Sequence, residues 1–396
     1  MKPQLLFRAG WRVFFWAAGL WAVLSMLVWV LWLAIGGAGG DPGQLGLTMP
    51  PQMWHAHEMV FGYATAALGG FFLTAVPNWT GAKAAPERFI AMVFGLWLAG
   101  RVVVCLSGIL PAWLVAVVDL AFLPVLAAKV LTQLMARPKP QNMMFLLLLS
   151  LVWVSNLMVH LQWMGLTGTE WQGLRGGLLT ISAMIAVLGG RVTPAFTRNA
   201  LLREGREDVL PITRKPLEIA GVALPLATAI AVVIGLPDAL VGALAVLAGP
   251  VVAARLIGWR GWSMRHQPIV WALHAGYAML ALGLFTWGLS LLGIGSEIGA
   301  LHILGIGAIG GMTLAVMSRA SIGHSGRPLI APAAVALGYA LLPLAVALRW
   351  GASAWDGMWL FGVIASGGIW VVAFALYVSA LWPIFFGPRG DGRAEA

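Results

Sequence analysis

Two histidines and a glutamate stand together at the head of one apolar segment. Met53-Trp54-His55-Ala56-His57-Glu58-Met59 opens a stretch that stays apolar to Val76 and closes on Pro77-Asn78-Trp79-Thr80-Gly81. Ionisable side chains are costly in hydrocarbon, so those placed there mark candidate functional sites. Imidazole is also the usual protein ligand of haem iron and copper. His55 and His57 are two apart, and on a regular helix they point roughly 200° apart. They converge on one metal only if the backbone at His55 is not helical, and Pro50-Pro51 just ahead suggests a helix start near there. Otherwise the rings serve different ions, His55 with Glu58 and Met59 on one side and His57 with Phe61 on the other. A plain interfacial role, with the rings bonding backbone carbonyls, is the competing reading.

The remaining histidines are scattered. His302 lies near the outer end of the tenth apolar stretch, five residues after Glu297, and His274 lies on the inner half of the ninth. At about 1.5 Å per residue their depths differ by roughly 15 Å, which implies two sites, or one site and one structural histidine. The candidate metal or cofactor ligands are therefore His55, His57, His274 and His302. His160, alone near the outer end of the fifth stretch, is a weaker candidate ligand, for which a solvated interfacial ring is the favoured reading. His266 and His324 fall in inner loops, at solvent or headgroups.

Two buried charges accompany them. Arg101 and Asp119 each lie roughly 10–12 Å below the outer surface on adjacent antiparallel spans, so an ion pair is expected. Arg101 could instead hold a haem propionate, a task suited to a guanidinium fork. Arg191 and Arg198 could do the same at the inner interface, where the alternative is simple anchoring. Met49, Met53 and Met59 offer thioethers suited to Cu(I), but methionine is also an ordinary apolar filler. The run Gly305-Ile-Gly-Ala-Ile-Gly-Gly-Met312 lacks a nucleotide loop's lysine and preceding strand; it suits close helix contact.

The elements that must position these groups are helices in lipid. Of 396 residues, 60% are hydrophobic and only 10% charged, against roughly 25% charged in a soluble domain. Twelve stretches are long enough to cross a bilayer: 11–35, 53–76, 89–109, 112–135, 142–163, 173–190, 217–235, 238–257, 268–291, 297–318, 330–349 and 355–385. The expected fold is all-α, a polytopic bundle of about twelve transmembrane helices forming a single domain over 1–396. The N-terminal basic run followed by 11–35 reads as a retained first helix, too long for a signal-peptide core. The 50 glycines point to close helix packing.

Charge sets the orientation. The links alternate between cationic ones (Lys83/Arg88, Arg137/Lys139, Arg191 to Lys215, Arg255/Arg260/Arg265, Arg319/Arg327) and short or acidic ones (Asp41, Glu170, Asp238, Glu297, Asp356). With both termini cytoplasmic, only Arg101, Arg175 and Arg349 of the 24 Lys and Arg residues fall off the inner side, and Lys2 and Arg393 count with the inner set. The net charge of +10 thus belongs to loops and does not indicate nucleic acid. The single cysteine, Cys105, excludes a disulfide framework or a thiolate metal site. The longest link, Arg191 to Pro216, reads as a cytoplasmic connector with some amphipathic helix. Spans two, six and ten share a small, polar, basic exit, a slight echo of three four-helix units.

Trp54-His-Ala-His-Glu-Met-Val-Phe-Gly62, Leu73-Thr-Ala-Val-Pro-Asn-Trp-Thr-Gly81, Gly189-Gly-Arg-Val-Thr-Pro-Ala-Phe-Thr-Arg-Asn199, Leu273-His-Ala-Gly-Tyr277, Gly307-Ala-Ile-Gly-Gly-Met-Thr-Leu314 after His302, and Gly323-His-Ser-Gly-Arg327 occur in that order. Together they resemble the NnrS family over nearly the whole length. The resemblance implies a twelve-span protein of the bacterial inner membrane containing haem and copper, associated with nitric oxide metabolism, denitrification and nitrosative stress. It directs attention to His55, His57, Glu58, His274 and His302 without dividing them between metals. The expected cofactor is haem b, with copper as a further candidate. The expected partners are the lipid bilayer, nitric oxide or a related small molecule, and quinol as a candidate electron donor. Three activities remain compatible: a redox enzyme, a protein that binds nitric oxide without turnover, and a secondary transporter that uses the histidines for proton coupling.

Overall fold

In the computed structural model, residues 3–41, 43, 45–355 and 357–392 are described. Lys2, Asp356 and Arg393, counted among the loop charges above, lie outside the described residues. No strand occurs among the described residues. Among the described residues, twelve helices are long and apolar enough to cross a membrane: α1 Gly10–Gly37, α2 Pro51–Thr80, α3 Glu87–Cys105, α4 Ala112–Leu134, α5 Pro140–Trp163, α6 Glu170–Arg203, α7 Lys215–Val233, α8 Asp238–Gly258, α9 Pro268–Leu291, α10 Glu297–His324, α11 Ala333–Ala354 and α12 Trp359–Phe386. Each matches one expected span. Their common cause is an apolar run long enough to cross, in which the helix pairs every backbone donor within itself.

The expected ends fail in two places. The sixth span does not stop at 190 but runs on through Pro194 to Arg203, so much of the expected connector is helix. The tenth continues to His324, which is therefore not a loop residue. Two helices change winding midway. α2 is π-wound over Glu58–Tyr63 and α10 over Ile303–Gly310, each directly after a histidine, His57 and His302. π-Turns are rare and concentrate at functional sites. α4 is interrupted at Ala121. Pro124 cannot donate to the carbonyl of Leu120, and the Trp153 indole of α5 donates to that oxygen instead, at 3.1 Å.

The chain divides into two compact units. The first comprises Met1–Gly177, Ala320–Pro328 and Tyr377–Ala396. Within it Arg12 is fully buried at the start of α1 and donates Nη1 to the carbonyls of Ile384, Phe385 and Gly387, at 2.7, 2.8 and 3.0 Å. These are the last carbonyls of α12 and the residue beyond it, which the helix itself cannot satisfy.

The second unit comprises Leu178–Arg319 and Leu329–Leu376. Small residues let its backbones approach, as the glycine content suggested: a Cβ on Gly288 of α9 would lie 2.7 Å from the carbonyl oxygen of Gly242 in α8. Arg255 is corrected here. It is not a loop cation but is buried on α8 at 3% exposure. Its Nη2 donates to Glu218 Oε2 on α7 at 2.6 Å, and its Nη1 to Tyr277 Oη on α9 at 2.6 Å and to the Ala186 carbonyl at 3.0 Å. A guanidinium that deep persists only when its charge and donors are matched, and these partners match them.

Candidate metal centre

The site lies within the first unit and draws on α1 to α5. α2 begins at Pro51, where a proline costs no hydrogen bond. His55 is already helical, so the two rings diverge. His55 stacks on Trp29 of α1, with ring centres 5.0 Å apart and planes at 11°. His57 turns the other way and is wholly buried. Of the alternatives open in the sequence, divergence is the one realised.

Around His57 a polar cluster is assembled. His57 Nδ1 lies 3.0 Å from Glu58 Oε1, and its Nε2 lies 3.0 Å from Asn156 Oδ1 and 3.4 Å from Asp119 Oδ2. Asn156 Nδ2 donates to Asp119 Oδ2 at 2.8 Å, and His160 Nε2 lies 2.8 Å from the same oxygen. Arg101 donates Nη1 to Glu58 Oε1 at 2.6 Å and Nη2 to Asp119 Oδ1. The Trp21 indole donates to Glu58 Oε2 at 2.7 Å. The expected Arg101–Asp119 ion pair is therefore present, with a second carboxylate on the same guanidinium.

Helical periodicity explains who meets whom. Asn156 and His160 are four apart and share one face of α5. Trp97 and Arg101 are four apart on α3, and the Trp97 indole donates to the carbonyl of Gly62 at 2.9 Å. Gly62 lies in the π-wound segment, where a Cβ would come within 2.6 Å of Glu58 Oε2, 2.7 Å of Trp21 Nε1 and 2.8 Å of Arg101 Nη1. Gly100 does the same for α3 against α4, since a Cβ there would lie 2.7 Å from Asp119 Oδ1. Both glycines make room for the charges. Trp163 and Phe61 cover the His57 ring at 4.8 and 5.3 Å between centres.

Two imidazole nitrogens and one carboxylate oxygen thus converge. The ligand atoms of His57, Asp119 and His160 all lie within 4.8 Å of one another, and all three residues are buried. First-row metals hold nitrogen and oxygen donors at about 2.0–2.2 Å, which sets neighbouring donors at roughly 3 Å. Two of the three separations, 2.8 and 3.4 Å, are close to that, and both are also direct histidine–carboxylate contacts. The donor chemistry also fits, because Glu58 Oε1 accepts from His57 Nδ1 as the outer carboxylate of a metal-bound histidine does. Charge points the same way. With neutral imidazoles, Glu58 and Asp119 outnumber Arg101 by one buried negative charge; a bound cation balances it, as does a second proton on His57, whose two ring nitrogens both face acceptor oxygens.

The other expected site residues lie elsewhere. His274 is 8% exposed on α9, and its Nε2 lies 2.8 Å from Thr197 Oγ1 of α6. His302 places Nδ1 2.7 Å from the carbonyl oxygen of Ile298, one turn back on α10. No metal cluster among the described residues includes His55, His274 or His302. Arg191 is exposed on α6. His266 bonds Glu204 at 2.7 Å and holds that carboxyl below its usual range. Met49 packs with Trp54, Val104 and Val115, the filler role.

His160 is the main correction. It is 1% exposed and a member of the cluster, not a solvated interfacial ring. Asn156, and Glu58 as a partner of Arg101, were also missed. The i, i+4 spacing of Asn156 and His160, at the depth of Asp119, was the signal that could have found them.

Comparison with curated proteins yields no match. A family model described as NnrS protein matches residues 5–389, nearly the entire chain. With that coverage, twelve membrane-length helices and the expected motifs in order, the chain belongs to the NnrS family.

Proposed function

We propose that the His57–Asp119–His160 cluster holds a transition-metal ion at which nitric oxide or a related small molecule binds, in a protein of the bacterial cytoplasmic membrane with both termini inside. The observation that carries this is the convergence of two imidazoles and one carboxylate in a buried pocket of charge. Two histidines and a carboxylate are the donor set of non-haem iron sites with open positions, and imidazole also suits copper. Membership of the NnrS family supports nitric oxide as the ligand. The metal would supply a Lewis-acidic, redox-active centre for a diatomic ligand.

The chain's own residues do the rest. His57 and His160 supply Nε2 and Asp119 supplies Oδ2. Glu58 orients His57 through Nδ1, and Arg101 fixes both carboxylates. Trp163 and Phe61 shield the pocket from water.

Haem b is a second reading, supported by His302. Its Nδ1 bond to Ile298 sets the tautomer whose lone pair is on Nε2, the usual haem-ligating nitrogen. A π-wound, glycine-rich segment follows it directly, with Gly307 packed on Met279 and Gly310 on Trp370. Quinol is the candidate donor on that reading, and Arg191, far along α6 from its start at Glu170, is a candidate propionate partner only for a haem at the inner side.

Anaerobic addition of nitric oxide to reduced, metal-replete protein tests the proposal. The expected result is a change in the paramagnetic resonance spectrum that saturates with the metal content and is lost in His57→Ala. An optical Soret band lost in His302→Ala would support haem instead. Proton-coupled flux into vesicles, with no metal and no response to nitric oxide, would support a secondary transporter.

A further inference from the structure

Arg319, five residues before the end of α10, is buried with part of its guanidinium unmatched. It is 6% exposed, and its Nη1 has no hydrogen-bond partner. Its guanidinium lies over the Phe196 ring of α6, 4.0 Å from the ring centre. The charged and titratable groups that act on it are Arg203, a like charge, and Tyr339, whose hydroxyl is engaged with Ser318. No carboxylate among the described residues pairs with Arg319. Arg203, two turns beyond Phe196 on the same face of α6, donates Nε to its own turn at Asn199 O, 3.0 Å away, and no carboxylate among the described residues pairs with it.

A buried charge without a counter-charge is strongly unfavourable, whereas an anion at this place would answer two guanidinium groups at once. Depth indicates where the anion comes from. At about 1.5 Å per residue, Arg319 lies roughly 7–8 Å from the end of a helix longer than the hydrocarbon core, and so near the headgroup boundary. Phe196 lines the apolar side, as it would beside an acyl chain. The cation tally assigns this end to the cytoplasmic leaflet, where anionic lipids collect and basic pockets between helices hold their phosphates.

We propose that Arg319 and Arg203, both in the second unit, form a binding site for the phosphate of an anionic phospholipid, one headgroup held by the two guanidinium groups. Arg319 supplies the buried fork and Arg203 the outer charge.

The test is thermal unfolding of the full chain in lipid nanodiscs of pure phosphatidylcholine and of phosphatidylcholine with phosphatidylglycerol, together with mass spectrometry of the lipid that stays bound through detergent purification. The wild-type chain is expected to retain phosphatidylglycerol and to melt higher in the anionic nanodiscs. Arg319→Gln should retain about tenfold less, the size of a lost charge-assisted hydrogen bond. Arg203→Gln, an exposed change that leaves folding intact, should weaken retention in the same direction and keeps the test open if Arg319→Gln does not fold. Equal melting in both nanodiscs, or equal lipid retention by wild type and Arg203→Gln, would overturn the proposal. So would inorganic phosphate stabilising the detergent-solubilised protein as much as the lipid does, since the anion would then be free phosphate.

Discussion

Arg101 and Asp119 meet as an ion pair between α3 and α4, and the other oxygen of Asp119 faces His160 at 2.8 Å. One carboxylate therefore joins the charge balance of the cluster to the edge proposed to hold a metal. Because Arg101 also holds Glu58 at 2.6 Å, replacing it strands two buried carboxylates. Arg101→Leu should destabilise the protein by about 3–5 kcal/mol, the usual cost of breaking a buried pair. Arg101→Lys keeps the charge but not the fork, and should fall between. Thermal unfolding in detergent, followed by size-exclusion chromatography, reads both; a Leu variant as stable as wild type would contradict the arrangement.

Gly62 supplies a sharper comparison. Its absent side chain leaves space for atoms of Glu58, Trp21 and Arg101, whereas Gly95 on α3 has nothing within 4 Å of where a Cβ would sit. Gly62→Ala should disturb the cluster and lower metal retention. Gly95→Ala, in the same kind of helix, should be neutral or slightly stabilising, because alanine is the better helix former. Elemental analysis and melting temperature of the two variants side by side check this.

Much of this was legible in the sequence, and the limits have physical causes. Span positions follow from hydropathy, since a helix crossing lipid must be apolar along its length. The Arg101–Asp119 pair followed from matched depth on adjacent antiparallel spans. The same reasoning could have found Arg255 with Glu218, since Glu218 is near the start of α7 and Arg255 near the end of α8. A cation near a span end was instead read as an anchor, because hydropathy does not distinguish a buried arginine from an interfacial one. His57 and His160 were not joined because they stand about a hundred residues apart, and only the packing of α2 and α5 around Asp119 brings them together. The divergence of His55 from His57 did follow from helical geometry once the helix started at Pro51.

Asp119 also depends on the break in α4. The Trp153 indole satisfies the Leu120 carbonyl that Pro124 leaves without its helical donor. Trp153→Phe should cost about 1–3 kcal/mol, the penalty of an unmatched buried carbonyl. It should also loosen the cluster, through movement of the adjacent Asp119. Melting temperature and metal content measured together test this, and a change in neither would disconnect the break from the site.

The Arg255–Glu218 pair in the second unit provides an independent control. Arg255→Gln should destabilise less than Arg101→Leu, because the Glu218 side chain is 30% exposed and can reach solvent. Metal retention at the first unit's cluster should be unchanged, as expected of sites that share no partner. Metal loss in Arg255→Gln, with the protein still folded, would count against two separate polar clusters.

The central claim is that His57, Asp119 and His160 hold a transition metal, and its most direct test is elemental analysis of purified wild type against His160→Ala. The account predicts near-stoichiometric iron or copper in wild type and a fall of at least ~10-fold in the variant, with the protein still folded. Wild-type protein free of transition metal after expression in metal-supplemented medium, or His160→Ala retaining the full complement, would contradict it.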